Sequence, residues 1–280
     1  MDSIASSKSD SVEQQAQQAA RSPWVERFGT MGLLSHGFLW LVVATIAGSV
    51  GFGGGGGEAS STGAISQLSQ ESYGTVLLAV LAVGLAGYSL LRLLHTFTNP
   101  SDEDGLQGIG ARISYFVRFL IYGGLTVYTV KQVFGSDSGG GGSESQLTQQ
   151  LLDLPGGRIL VAIVALVMLA IGIHQLYSAV TGDFMDQLKG ASARQEQMAK
   201  IVGTVGHAAR GIVFGTIGIL FAQAALQSDS SQAGGVDKAL QTISSSPVGT
   251  VALTLIAIGL ACFGLFVIAL ATWGNARAAG

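Results

Sequence analysis

Six apolar runs, near residues 31–50, 74–97, 113–134, 157–181, 205–226 and 248–273, constrain this chain more than any other feature. Each is close to the ~20 residues that an α-helix needs to cross a ~30 Å hydrocarbon core. In lipid, a spanning segment must satisfy its own backbone polar groups, and a helix does so within one segment. Composition agrees: of 280 residues only 11% are charged, and mean hydropathy is +0.49, too few charges to clothe a soluble domain of this size. The expectation is an all-α membrane protein with six transmembrane helices.

The runs are related in pairs. Gly74, Gly157 and Gly249 each open the second helix of a pair, and counting back 37, 38 and 38 residues reaches Gly37, Phe119 and Gly211. The second helices align without gaps as "GLAGYSLLRLLHTF" from Gly84, "VMLAIGIHQLYSAV" from Val167 and "GLACFGLFVIALAT" from Gly259. Leu68, Leu151 and Ile243, six residues before the three anchor glycines, mark a short amphipathic helix in every unit. The chain thus divides into a polar tail (1–23) and three two-helix repeats (24–104, 105–190 and 191–280). A two-span unit starts and ends on the same side, so the copies are parallel, and they most simply surround a pseudo-threefold axis along the membrane normal. Faces rich in small residues, such as Gly211, Gly215 and Gly218, or Gly84 and Gly87, read as helix-packing faces.

Eleven Lys and Arg residues flank the spans on the side of the N-terminus, while Lys131, Arg158 and Lys238 lie on the other. By the positive-inside rule both termini are expected in the cytoplasm. The loops "GFGGGGGEASSTG", "GSDSGGGGSES" and "QSDSSQAGG" then face outward. No Gly-Lys-Ser/Thr follows their glycines, so they read as linkers and not as phosphate loops. The Gln-rich first residues lack an apolar core and do not form a signal peptide.

The stretches "GHAARGIVF", "GLAGYSLLRLLHTFTNP" and "IGIHQLYSAVTGDFMDQL" resemble a bacterial family of integral membrane proteins with a thrice-repeated two-helix unit, catalogued as a domain of unknown function. The resemblance covers about residues 24–274. It departs at His36, where the third unit has arginine, and at Phe119, where the others have glycine. It implies the fold and the bacterial plasma membrane, with no activity.

Directly before the aligned positions stand His36, Arg118 and Arg210, each followed four residues later by an aromatic: Trp40, Tyr122 and Phe214. Helical side chains lean toward the N-terminus, so the ring at i+4 can lie back over the cation at i. About 15 residues of apolar helix follow each cation, or ~23 Å, which puts the cations roughly a turn inside the cytoplasmic boundary. Two readings follow. Long side chains there can snorkel to the interface, or the axis can gather them into a cytoplasm-facing basic vestibule for an anion or a lipid headgroup. Arg92, His174 and His207 lie at similar depth without equivalents in the other units, and read as local polar contacts.

Several functions lose support. No Asp or Glu falls within the six runs, which disfavours proton-coupled transport. Neither Gly-x-Ser-x-Gly nor HExxH occurs, so no enzyme is expected. The single Cys262 and four unspaced histidines offer no metal site, and no cofactor is expected. A net charge of -3 implies no nucleic-acid partner, which leaves membrane lipid. The chain therefore reads as a structural or accessory membrane protein, with a pore or carrier for a small neutral or anionic solute, or an anionic-lipid binder, as the alternative.

Overall fold

The structure is a computed structural model that describes residues 23–51, 61–70, 74–98, 105–134, 143–188 and 191–274. The polar tail before Pro23 and the glycine tracts at 52–60 and 135–142 lie outside these residues. Among the described residues the order is α1 (Pro23–Gly51), α2 (Ser61–Ser69), α3 (Gly74–Thr98), α4 (Gly105–Val133), α5 (Ser143–Leu152), α6 (Gly157–Thr181), a 3₁₀ turn (Asp183–Leu188), α7 (Ala193–Gln227), a second 3₁₀ turn (Ser230–Gln232), α8 (Val236–Ser244) and α9 (Gly249–Trp273). Helices α1, α3, α4, α6, α7 and α9 are long and apolar enough to cross a membrane.

The boundaries follow local chemistry. Proline opens α1 where its missing N–H costs nothing. Ser192 and Gln195 form a capping box at the head of α7, with the Ser192 N–H donating to the Gln195 side chain at 2.8 Å. That cap lets α7 begin well before its apolar run, at Ala193. Its 35 residues make about 52 Å of helix, so the first turns stand beyond the hydrocarbon. Gly182, in the left-handed region at φ 75°, ends α6.

The three anchor glycines do one job. A Cβ on Gly74 or Gly157 would collide with the carbonyl oxygen of Leu68 or Leu151, and one on Gly249 with that of Ser244. The C-terminus of each short helix therefore rests against the first residue of the long helix that follows.

Packing between units also repeats. The spans pack in the order α4, α3, α1, α9, α7, α6, so the first and last of the described spans are neighbours. At the α1–α9 junction, a Cβ on Gly37 would lie 2.8 Å from the Gly264 carbonyl oxygen, and one on Gly264 would lie 2.7 Å from that of Gly37. At the α7–α6 junction, Gly211 and Gly172 make the same reciprocal approach at 3.0 Å. At the α4–α3 junction the Ser89 hydroxyl donates to the Phe119 carbonyl at 3.0 Å. Ser89, Gly172 and Gly264 are equivalent in the aligned second helices, as are Gly37, Phe119 and Gly211 in the first. The departure at Phe119 is thus tolerated because its interface works through a carbonyl, which every residue carries. These contacts run head to tail around the three units.

The second unit is different. Within the first unit Gly84 packs on Ser35 and Gly32 on Tyr88; within the third, Gly259 packs on Ala209 and Gly206 on Phe263. The equivalent pairs in the second unit are Val167 with Val117 and Ser114 with Ile171, and among the described residues α4 and α6 share no packing interface. Two valines stand where two small residues let backbones close elsewhere. As a result 11% of α4 and 17% of α6 are buried within the chain, against 44–56% of the other four spans. The packing order is an arc whose two ends both belong to unit two.

Candidate functional site

Side chains about four to five turns along α1, α3, α4, α7 and α9 converge on the middle of the arc. His36, from α1, is at its centre. Its ring stacks on Tyr88 of α3 at 5.8 Å and 10°, and meets Tyr122 of α4 edge-on at 5.2 Å. Trp40 and Phe263 complete its surround at 6.3 and 6.2 Å. The Tyr122 hydroxyl lies 3.1 Å from His36 Nδ1, close enough for a hydrogen bond between helices of different units.

Arg210, from α7, occupies the adjoining position. Its guanidinium carbon stands 4.1 Å from the Phe263 ring centre, 5.0 Å from that of Trp40 and 5.1 Å from that of Phe214. Three π faces from three helices each attract the cation electrostatically. Its Nε is buried with no hydrogen-bond partner among the described residues. Rings stabilise a cation less than a carboxylate would, and a buried N–H without an acceptor is costly. Arg210 is therefore surrounded but not neutralised.

A second cation flanks the cluster. Arg92, only 2% exposed, donates from Nη2 to the Tyr88 hydroxyl at 2.5 Å and lies 4.5 Å over the same ring. Tyr88 therefore links Arg92 to His36. On the other flank His207 stacks on Phe184 at 4.5 Å and donates from Nδ1 to the Gly203 carbonyl at 2.8 Å. Cys262 is a free thiol, and no group of three metal-ligating side chains occurs among the described residues.

Of the cations singled out in the sequence, His36 and Arg210 are thus brought together, with Trp40, Tyr122 and Phe214 on them. Arg118 is exposed on α4, and Tyr122 turns to His36 instead of folding back over it. Arg118 still stands one helical turn before Tyr122, the residue of α4 that reaches the cluster. Arg92 and His207 are buried, whereas His174 is exposed. Sequence reasoning missed Tyr88 and Phe263, the rings that join the cations. Their signal was present: both occupy one aligned position, and the second unit carries Ile171 there.

The far ends of the spans hold cations of another kind. Arg158 donates to the Ala225 and Leu226 carbonyls, both at 3.0 Å, and so covers the open end of α7. Lys238 donates to the carbonyls of Ser231 and Ala233. Both are occupied by backbone.

Fold and site define a class: a six-span helical membrane protein made of one two-helix unit used three times, with a cation-aromatic cluster and no catalytic constellation among the described residues. The chain belongs to the family described as Domain of Unknown Function (DUF1206), whose model matches at residues 31–99, 113–182 and 205–274. It is 28% identical over 249 residues to the uncharacterized protein YxxB of Bacillus subtilis (strain 168), covering 88% of this chain and 90% of that one. No solved structure matches it.

Proposed function

We propose that this is a structural or accessory protein of the bacterial plasma membrane that holds an anion, a phosphate-like or carboxylate group, at the cluster of His36, Arg118 and Arg210. The observation that carries this reading is Arg210, enclosed by three rings with a buried Nε lacking an acceptor. Arg92 and Arg118 add charge of the same sign, and the six apolar runs supply no carboxylate to balance it. In a low-dielectric setting such a field favours an incoming anion and repels a cation. A pore is the weaker reading, because the rings of His36, Trp40, Tyr88, Tyr122 and Phe263 pack against one another at the centre.

In this reading the three units surround a pseudo-threefold axis, and the head-to-tail Gly37–Gly264, Phe119–Ser89 and Gly211–Gly172 contacts support that arrangement. The cation bias supports a cytoplasm-facing position for the cluster in this reading.

Calorimetry of purified protein with inorganic phosphate tests the reading. Binding should weaken with added salt and fall sharply in Arg210→Gln, which keeps polarity and approximate length while removing one charge. Equal phosphate binding by wild type and a folded Arg210→Gln protein would mean that the cluster is merely snorkelling and packing.

A further inference from the structure

We infer that the unclosed hairpin between α4 and α6 is a lateral entrance through which an anionic phospholipid reaches the cluster, its headgroup at Arg118 and its chains between the two helices. This rests on the reading of the cluster as an anion site and names the ligand that the site takes.

Three observations converge. The first is steric: units one and three close their hairpins through Gly84 on Ser35 and Gly259 on Ala209, and unit two replaces both members with Val167 and Val117. Val167 and Val117 are left 48% and 46% exposed, with Ile113 and Ile171 beside them in the same state, so both sides of the opening are aliphatic. The second is electrostatic. Arg118 directly follows Val117, is exposed, and stands one helical turn before Tyr122, whose hydroxyl meets His36 at 3.1 Å. The opening therefore joins an apolar slot to the basic cluster at one level of α4. The third is the absence of any acidic residue on either helix to compete for that charge.

An anion with acyl chains fits both halves. Inorganic phosphate would use the charge and leave the aliphatic walls idle. A second copy of the chain, docking by a twofold contact, would bring its own Arg118 to the same mouth and oppose like charges. A zwitterionic lipid has the chains but lacks the net charge.

The test is native mass spectrometry of the full protein released from mixed micelles containing phosphatidylglycerol and phosphatidylcholine of equal chain length. Wild type should retain phosphatidylglycerol in preference. Val117→Trp with Val167→Trp, which fills the slot, should cut that retention about tenfold while inorganic phosphate still binds at the Arg210 cluster. Arg118→Gln, an exposed change that leaves the core alone, should abolish the headgroup preference. Undiminished retention in the tryptophan variant, or an unchanged preference in Arg118→Gln, overturns the entrance. Should the tryptophan variant prove too unstable to compare, Arg118→Gln alone decides. If wild type binds neither phosphate nor phosphatidylglycerol, the anion site itself is wrong and the entrance falls with it. Phosphate binding without lipid retention defeats the entrance alone.

Discussion

The hydroxyl of Ser89 donates to the carbonyl of Phe119 at 3.0 Å, at the place where two glycines meet in each of the other junctions between units. One interface position is solved twice by bare backbone contact and once by a side-chain donor. In lipid, where burying apolar surface gives no association energy, close packing and such hydrogen bonds are the available forces.

Enlarging the tight positions should therefore destabilise the assembly. Gly264→Leu puts a branched side chain where even a Cβ would sit 2.7 Å from the Gly37 carbonyl oxygen. The expected loss is about 1–3 kcal/mol or more, read as a lower thermal midpoint in detergent. Gly124→Ala meets nothing within 4 Å and should be neutral or slightly stabilising, since alanine favours helix over glycine.

Ser89→Ala removes the donor but keeps the volume small. A net loss of roughly 0.5–1.5 kcal/mol is expected from one hydrogen bond. Hydrogen exchange should rise along α4, whose main packing partner among the described spans is α3, and stay unchanged along α9. A uniform rise would show that the bond is not local to that junction.

Both termini should lie in the cytoplasm. In a Cys262→Ala background, cysteines at Gly55 and Gly140 should react with an impermeant thiol reagent on intact cells, and one at Ser192 should not. The reverse pattern would invert the protein and move the cluster to the outer face.

Acid should loosen the 3₁₀ turn at Ser230–Gln232 before the rest. The Asp229 carboxylate accepts from the Ser231 N–H at 2.9 Å, and these bonds hold its pKa below the usual carboxylate value. A carboxyl with a lowered folded pKa stabilises the fold above its unfolded pKa and loses that contribution as pH falls through the folded one. The 3₁₀ turn at Ser230–Gln232, tied to α5 through Ser230 and Gln149 at 2.6 Å, should then exchange faster at acid pH. Asp229→Asn should show that faster exchange at neutral pH and respond less to acid.

The spans and the repeat were legible because hydropathy and glycine spacing are local properties of the chain. Arg210 over Phe214 was legible for the same reason: four residues along one helix bring them together. What stayed hidden needed neighbours from other helices. Trp40 and Phe263 reach Arg210 across helix junctions, and Tyr122 turns to His36 because that ring, not Arg118, faces it. The opening of unit two could be read only once the partners of Gly84 and Gly259 were known, since a valine in an apolar run looks ordinary by itself.

The contact between α1 and α9 has a consequence for how the protein is made. Among the described spans α1 leaves the ribosome first and α9 last, so Gly37 must wait through the intervening spans for Gly264. Until then Trp40 and His36 have no Phe263, and Arg210, once inserted, lacks its nearest ring. A nascent chain halted before the 25-residue α9 holds every cation of the cluster but neither Phe263 nor Gly264. The cluster is thus closed only once α9 has been inserted, and until then the glycine face of α1 at Gly37 is left unsealed.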